Sequence, residues 1–279
     1  MLHLIPVQPN NQQPIGIFDS GIGGLTVARA IAKQMPHESF IYFGDTAHLP
    51  YGDKSSEAIK HYSKKITAFL LSHHCKMVVI ACNTASSVGY QALLPMFADK
   101  DLLINVIDPI SLHVAQNVEQ GKVGIIATKR TVSTRAYSKK IKKAAPNLQA
   151  SELATPLLAP MIEEGFYNNN SSQTIINSYL DKKPLNDIDA LVLGCTHYPL
   201  IQNQIEKYYQ KNKNHVQVID STTVVAKQVE ATLKAKNLLN TEGTPDYKFF
   251  VSDYTTAFET TARIFFMEKV KLEYFPMWQ

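Results

Sequence analysis

Short apolar runs that end in Gly, Asp, Thr or Cys alternate with helix-patterned stretches along most of this chain, and few folds satisfy that alternation. Ile-Gly-Ile-Phe at 15–18 leads through a glycine-rich turn into an amphipathic stretch at 25–35. Phe-Ile-Tyr-Phe at 40–43 precedes a loop and apolar residues at helical spacing over 56–72, and Met-Val-Val-Ile-Ala at 77–81 precedes a helical pattern over 85–94. Strands that alternate with helices pair in parallel, and the crossover helices cover both faces of the sheet. The second half repeats the plan. Val-Gly-Ile-Ile at 123–126 resembles the run at 15–18, and Ala-Leu-Val-Leu at 190–193 resembles Val-Val-Ile at 78–80. The first pair ends in Asp19-Ser20 and Ala127-Thr128, the second in Cys82-Asn83-Thr84 and Gly194-Cys195-Thr196. Ser20 and Cys82 are 62 positions apart, Thr128 and Cys195 are 67 apart. The expectation is an α/β protein of two doubly wound parallel-sheet domains of similar topology, each presenting a hydroxyl and a cysteine at strand C-termini, where open α/β sheets place ligands. A TIM barrel fits the 279-residue length, but the repeat is twofold, not eightfold. Strand-like segments at 214–220 and 247–251, with helical patterns at 221–236 and from 253, return to the first unit. The expected division is a loose N-terminal extension at 1–14, a first domain of 15–107 and 217–279, and a second domain of 108–216.

Composition removes several classes of function. The formal charge is +4, and only four of the 28 basic residues are arginine, too few for a nucleic-acid or phosphate clamp. Seven basic residues fall between Lys129 and Lys143, but they point in too many directions for one stripe and read as a solvated surface. No apolar run approaches the ~18 residues of a membrane span. The first basic residue is Arg29, which leaves out the basic start of a secretory signal. Three cysteines are too few for a disulfide framework. A soluble, cytoplasmic protein that needs neither nucleic acid nor membrane is expected.

Cys82 and Cys195 are the strongest chemical lead. A lone free cysteine is usually a small buried hydrophobe. Two at equivalent places in repeated units, each followed by polar residues, point to use. A helix N-terminus or polar donors stabilise a thiolate. Across a cleft, one thiolate and one thiol form a symmetrical acid–base pair, suited to a reaction whose substrate and product are mirror images.

Four segments carry a family resemblance: Ile-Phe-Asp-Ser-Gly-Ile-Gly-Gly-Leu at 17–25, Gly-Asp-Thr-Ala-His-Leu-Pro-Tyr-Gly at 44–52, Ala-Cys-Asn-Thr-Ala-Ser at 81–86 and Gly-Cys-Thr-His-Tyr-Pro-Leu at 194–200. Together they resemble the glutamate racemases, in the cofactor-independent aspartate/glutamate racemase family, and the cysteine motifs resemble the glutamate more than the aspartate enzymes. Residues 156–165 resemble a further family segment. The resemblance implies interconversion of L- and D-glutamate without cofactor or metal, supply of D-glutamate for peptidoglycan, a two-domain α/β fold with the active site in the cleft between the domains, and a homodimer. It implies that Cys82 exchanges the proton with D-glutamate and Cys195 with L-glutamate, assisted by Asp19 and His197 respectively. It places Ser20, Tyr51, Gly52, Asn83, Thr84 and Thr196, with Asp19 and His197, at the substrate. Thr128 is a further candidate from the repeated unit. Thr131 departs from the family pattern, because Thr-Lys-Arg-Thr stands where glycine often precedes the second threonine. Glu163 resembles a carboxylate near the cleft and equally fits a helix surface; Asp45 fits a loop anchor as well as a site residue.

Other readings of the same residues are weaker. Gly21-Ile-Gly-Gly24 lacks the last glycine of a dinucleotide fingerprint, because Thr26 stands there. His73-His74-Cys75 suggests zinc, but adjacent side chains do not converge easily on one ion. A thiol hydrolase using Cys195 and His197 leaves Cys82 without a task. A binding module on the same fold would hold glutamate without turning it over.

Overall fold

The computed structural model describes residues 9–212 and 216–279. Residues 1–8, most of the expected extension, and 213–215, at the head of the strand-like segment from 214, lie outside the described residues.

Among the described residues, ten strands form two wholly parallel sheets. In the first lobe, β1 (Ile15–Asp19), β2 (Phe40–Gly44), β3 (Met77–Ile80) and β4 (Leu103–Asn105) alternate with α1 (Leu25–Gln34), α2 (Ser56–Ser72) and α3 (Asn83–Leu93). Helix α4 (Ile107–Asn117) leads to the second lobe. There β5 (Gly121–Ala127), β6 (Leu148–Ala154), β7 (Ala190–Gly194) and β8 (Gln217–Ile219) are linked by α5 (Lys129–Thr134), α6 (Ala136–Ala144), α7 (Leu158–Glu163), α8 (Asn170–Leu180) and α9 (Gln202–Asn212). Helix α10 (Ser221–Ala235) returns to the first lobe, followed by β9 (Tyr247–Val251), α11 (Thr256–Phe266) and β10 (Leu272–Tyr274).

The strand orders are β10-β9-β2-β1-β3-β4 and β6-β5-β7-β8. The second sheet therefore repeats the order of the first four strands, and β9 and β10 extend the first sheet beyond β2. In each sheet the connections of the first four strands diverge at one place, between β1 and β3 and between β5 and β7. These are the switch points where crevices open beyond the strand C-termini. Asp19 and Cys82 stand at one, Thr128 and Cys195 at the other, so the sequence repeat marks topologically equivalent places. Strands β1 and β3 are buried throughout, which matches their unbroken apolar sequences.

Two details differ from the expected division. Gln217–Ile219, assigned to the first domain from sequence, pairs with Ala190, Leu191 and Val192 of β7, so the return to the first lobe begins one strand later. Residues 9–14 are not a loose extension. The Lys76 ammonium, buried with the Glu38 carboxylate at 2.6 Å, also donates to the Asn11 carbonyl at 2.7 Å and the Leu238 carbonyl at 2.9 Å, and the Lys76 N–H donates to the Pro14 carbonyl. A buried ion pair whose remaining protons find carbonyls is held in place, and this one fastens the segment before β1 to the turn that follows α10.

Candidate active site

Strand β1 delivers Asp19 into a turn that only small residues allow. A side chain at Gly24 would place its Cβ 2.6 Å from that of Asp19, and one at Gly23 would collide with the His197 ring. These glycines bring α1 against both groups; close approach, not nucleotide binding, explains the motif. The Asp19 carboxylate accepts the Gly24 N–H at 2.8 Å. Burial holds its pKa above the ordinary carboxylate value, although His197 and the Gly24 and Ser20 amides pull it back.

Cys82 follows β3 and caps α3, which starts two residues earlier than its apolar pattern suggested. The Ala85 N–H donates to its sulfur at 3.4 Å, and the thiol faces Ser20 Oγ at 3.6 Å. Burial and then the Asp19 carboxylate raise this thiol strongly, so it keeps its proton at neutral pH. Cys195 follows β7 and has a different neighbour. Its sulfur lies 3.5 Å from His197 Nδ1, and His197 Nε2 lies 2.8 Å from the Glu163 carboxylate. Burial disfavours the imidazolium, but the sulfur and the carboxylate outweigh it and hold His197 well above its ordinary pKa. The two thiols are thus unlike: one beside a carboxylate, the other beside a cation. Glu163 faces the cleft rather than the surface.

Both cysteines open on one cavity of about 310 Å³ between the lobes. The size suits a small molecule. Asp19, Ser20, Tyr51, Gly52, Cys82, Asn83, Thr84, Thr128, Cys195, Thr196 and His197, each singled out from sequence, all line it. Glu163 and Pro156, both in the segment at 156–165, line it too, as do Thr155 and Lys129, for which the sequence held no site signal. Thr131 does not. It is fully buried behind the wall, 3.1 Å from the Thr128 hydroxyl and 3.5 Å from that of Thr84. Asp45 is a loop anchor. Fully buried and away from the cavity, it accepts from Tyr51 at 2.6 Å, Ser252 at 2.7 Å and Trp278 at 2.8 Å, and fixes the loop that carries Tyr51 and Gly52. His73, His74 and Cys75 make no metal centre: among the described residues no three His, Cys, Asp or Glu side chains converge.

Hydrogen bonds join the lobes around the cavity. Thr84 Oγ1 meets Thr128 Oγ1 at 2.9 Å, Thr26 donates to the Thr196 carbonyl at 2.9 Å, and Arg130 Nε donates to the Lys54 carbonyl at 3.1 Å. Such a site can present hydroxyls and amides to a polar ligand while a proton donor and a proton acceptor wait on separate walls.

Acid–base groups drawn from both lobes onto one cavity suit an enzyme that moves a proton on its substrate, as an isomerase does. Residues 24–229 match the Asp/Glu/Hydantoin racemase family, and the chain belongs to it. It is an amino-acid racemase. The glutamate racemase of Neisseria meningitidis serogroup C is 39% identical over 94% of this chain and 96% of its own. The crystal structure of glutamate racemase from Francisella tularensis in complex with D-glutamate superposes with a TM-score of 0.86 at 34% identity, covering 96% of this chain and 98% of the other. Glutamate racemase isoform RacE1 from Bacillus anthracis gives 0.88 at 31% identity, over 95% and 98%.

Proposed function

We propose that this racemase interconverts L- and D-glutamate by a two-base mechanism with Cys82 and Cys195 as the exchanging groups. The convergence of both cysteines, each with its own proton partner, on one cavity carries this reading. Starting from L-glutamate, the Cys195 thiolate, stabilised by the His197 imidazolium, takes the Cα proton, and the Cys82 thiol delivers its proton to the opposite face. Starting from D-glutamate, Asp19 first accepts the Cys82 proton and the His197 imidazolium gives its Nδ1 proton to the Cys195 sulfur; the new Cys82 thiolate then takes the Cα proton while the Cys195 thiol delivers its proton to the opposite face. A carboxylate raised by burial is a better proton acceptor for a thiol than an ordinary one. The carbanionic transition state needs preorganised donors in a site that excludes water, and the roles of Ser20, Asn83, Thr84, Thr128 and Thr196, with the Tyr51–Gly52 loop, follow from that need. The α3 N-terminus adds a favourable field for a carboxylate.

The N. meningitidis relative is named glutamate racemase, and the F. tularensis structure holds D-glutamate. Both support glutamate as the substrate here. On this reading the product supplies peptidoglycan synthesis, and the enzyme works in the cytoplasm as a homodimer, with neither nucleic acid nor membrane as partner. Among the described residues, no helix is long and apolar enough to cross a membrane.

Purified protein is expected to abolish the circular dichroism of L-glutamate and, separately, of D-glutamate with no added pyridoxal phosphate, nucleotide or metal. Activity that exhaustive chelation removes and metal restores would refute the cofactor-independent reading. L-aspartate tests specificity. Shorter by one methylene, it cannot bring both carboxylates to fixed hydroxyl and N–H donors at once, and buried donors left unpaired discriminate more strongly than a missing apolar contact. Its kcat/KM should fall at least about a hundredfold below that of L-glutamate; equal values for the two amino acids would contradict the assignment.

A further inference from the structure

Tyr137 lies on α6 in the second lobe and is fully buried. Its hydroxyl reaches the first lobe and donates to Asn83 Oδ1 at 2.6 Å. Asn83, the first residue of α3, lines the cavity and is 2% exposed. Its Nδ2 is buried and has no hydrogen-bond partner. The amide is planar, so a bond that pins its oxygen fixes the direction of its two N–H groups. A buried donor left unpaired costs free energy, and such groups persist where a ligand completes them.

We propose that Tyr137 is a positioning residue: from the opposite lobe it orients the Asn83 amide so that Nδ2 donates to a carboxylate oxygen of the bound amino acid. This rests on the glutamate reading above. Without the phenol, Asn83 is free to turn its oxygen toward the substrate, which would set acceptor against acceptor. Because the phenol and the amide come from different lobes, the donor is aligned only while the lobes are juxtaposed. The grip falls on a group common to both enantiomers and to the transition state, so its loss weakens binding more than turnover.

Steady-state kinetics of Tyr137→Phe, Asn83→Ala and the double variant, in both directions, test the proposal. Tyr137→Phe is expected to raise KM for L- and D-glutamate about tenfold while kcat changes less than about threefold, the loss of roughly one hydrogen bond. In the Asn83→Ala background the same change should have no further effect on KM, because Tyr137 acts through the amide. KM within about twofold of wild type for Tyr137→Phe, or effects that multiply in the double variant, would overturn the proposal. Asn83→Asp provides a test that leaves Tyr137 intact: it keeps an acceptor for the phenol but loses the donor, and calorimetry should show D-glutamate binding weakened at least as much as by Asn83→Ala. Unchanged binding by Asn83→Asp overturns the proposal. If wild type neither binds nor turns over glutamate, the glutamate reading itself falls; wild-type turnover with unaltered KM in Tyr137→Phe removes this proposal alone.

Discussion

Replacing either Cys82 or Cys195 with alanine should reduce racemisation by at least about a thousandfold, the scale of losing a positioned acid or base at the reacting atom. Each substitution removes one sulfur atom and leaves a small apolar side chain in a buried place, so the fold should survive; both residues are within 6% of full burial. The loss should appear equally in both directions. Enantiomers have the same free energy in water, so kcat/KM cannot fall in one direction without falling in the other. Cys75 is the internal control. It is buried, its thiol is pushed up to about 12 by burial, and no partner in the cavity calls on it. Cys75→Ala should retain activity. A Cys82→Ala or Cys195→Ala enzyme that racemises at near wild-type rate would end the assignment of that residue.

The second large effect belongs to the residues beside the thiols. On the proposed mechanism, His197→Asn should cost roughly a hundredfold to a thousandfold in kcat, since it removes the proton-bearing partner 3.5 Å from the Cys195 sulfur. Asp19→Asn should cost a similar factor, because the amide cannot accept the Cys82 proton. The pH dependence separates the contributions. His197 is held above its ordinary pKa by the Cys195 sulfur and the Glu163 carboxylate, against the pull of burial. Its charged form is therefore present at neutral pH and is lost as pH rises through the raised value, which sets an alkaline limb on kcat/KM. Glu163→Gln removes one of the two stabilising charges while keeping a polar side chain of similar shape. The alkaline limb should then move to lower pH, with the neutral-pH rate reduced less than by His197→Asn. An alkaline limb that stays in place would show that Glu163 does not act through His197.

Much of this architecture is readable along the chain because the strands that build the cleft are buried on both faces. Strands β1, β3 and β7 have every residue buried, so they appear as apolar runs, and each leads within two residues to a group that faces the cavity: Asp19 ends β1, Cys82 follows β3 and Cys195 follows β7. Strands β4, β6 and β10 are not among the runs read from the sequence. The first and last have three residues each, and most of β6 is only partly buried and carries Gln149, Ser151 and Glu152. Nothing in such segments distinguishes a strand from a loop before its neighbour is known. The site divides in the same way. Its walls follow from motifs at strand ends, but the bonds that hold those walls join distant parts of the chain. Asp45 is fixed by Ser252 and Trp278, 207 and 233 positions away, and Asn83 by Tyr137, 54 positions away. Thr155 follows the half-exposed β6 and has no motif of its own. Ser252 and Trp278 reach Asp45 only when β9 and β10 join the first sheet, and Tyr137 reaches Asn83 only when the second lobe folds against the first.

The two-base mechanism is tested most directly by the early time course in D₂O. Starting from L-glutamate, one group removes the proton from Cα while another, already exchanged with solvent, delivers deuterium to the opposite face. The first D-glutamate formed should carry deuterium at Cα, and the L-glutamate that remains should stay almost wholly protiated, as seen by NMR of the separated enantiomers; the mirror experiment from D-glutamate should give the mirror result. Product that retains the original proton, or deuterium appearing early in recovered substrate, would mean that one base serves both faces and would contradict the separate roles of Cys82 and Cys195.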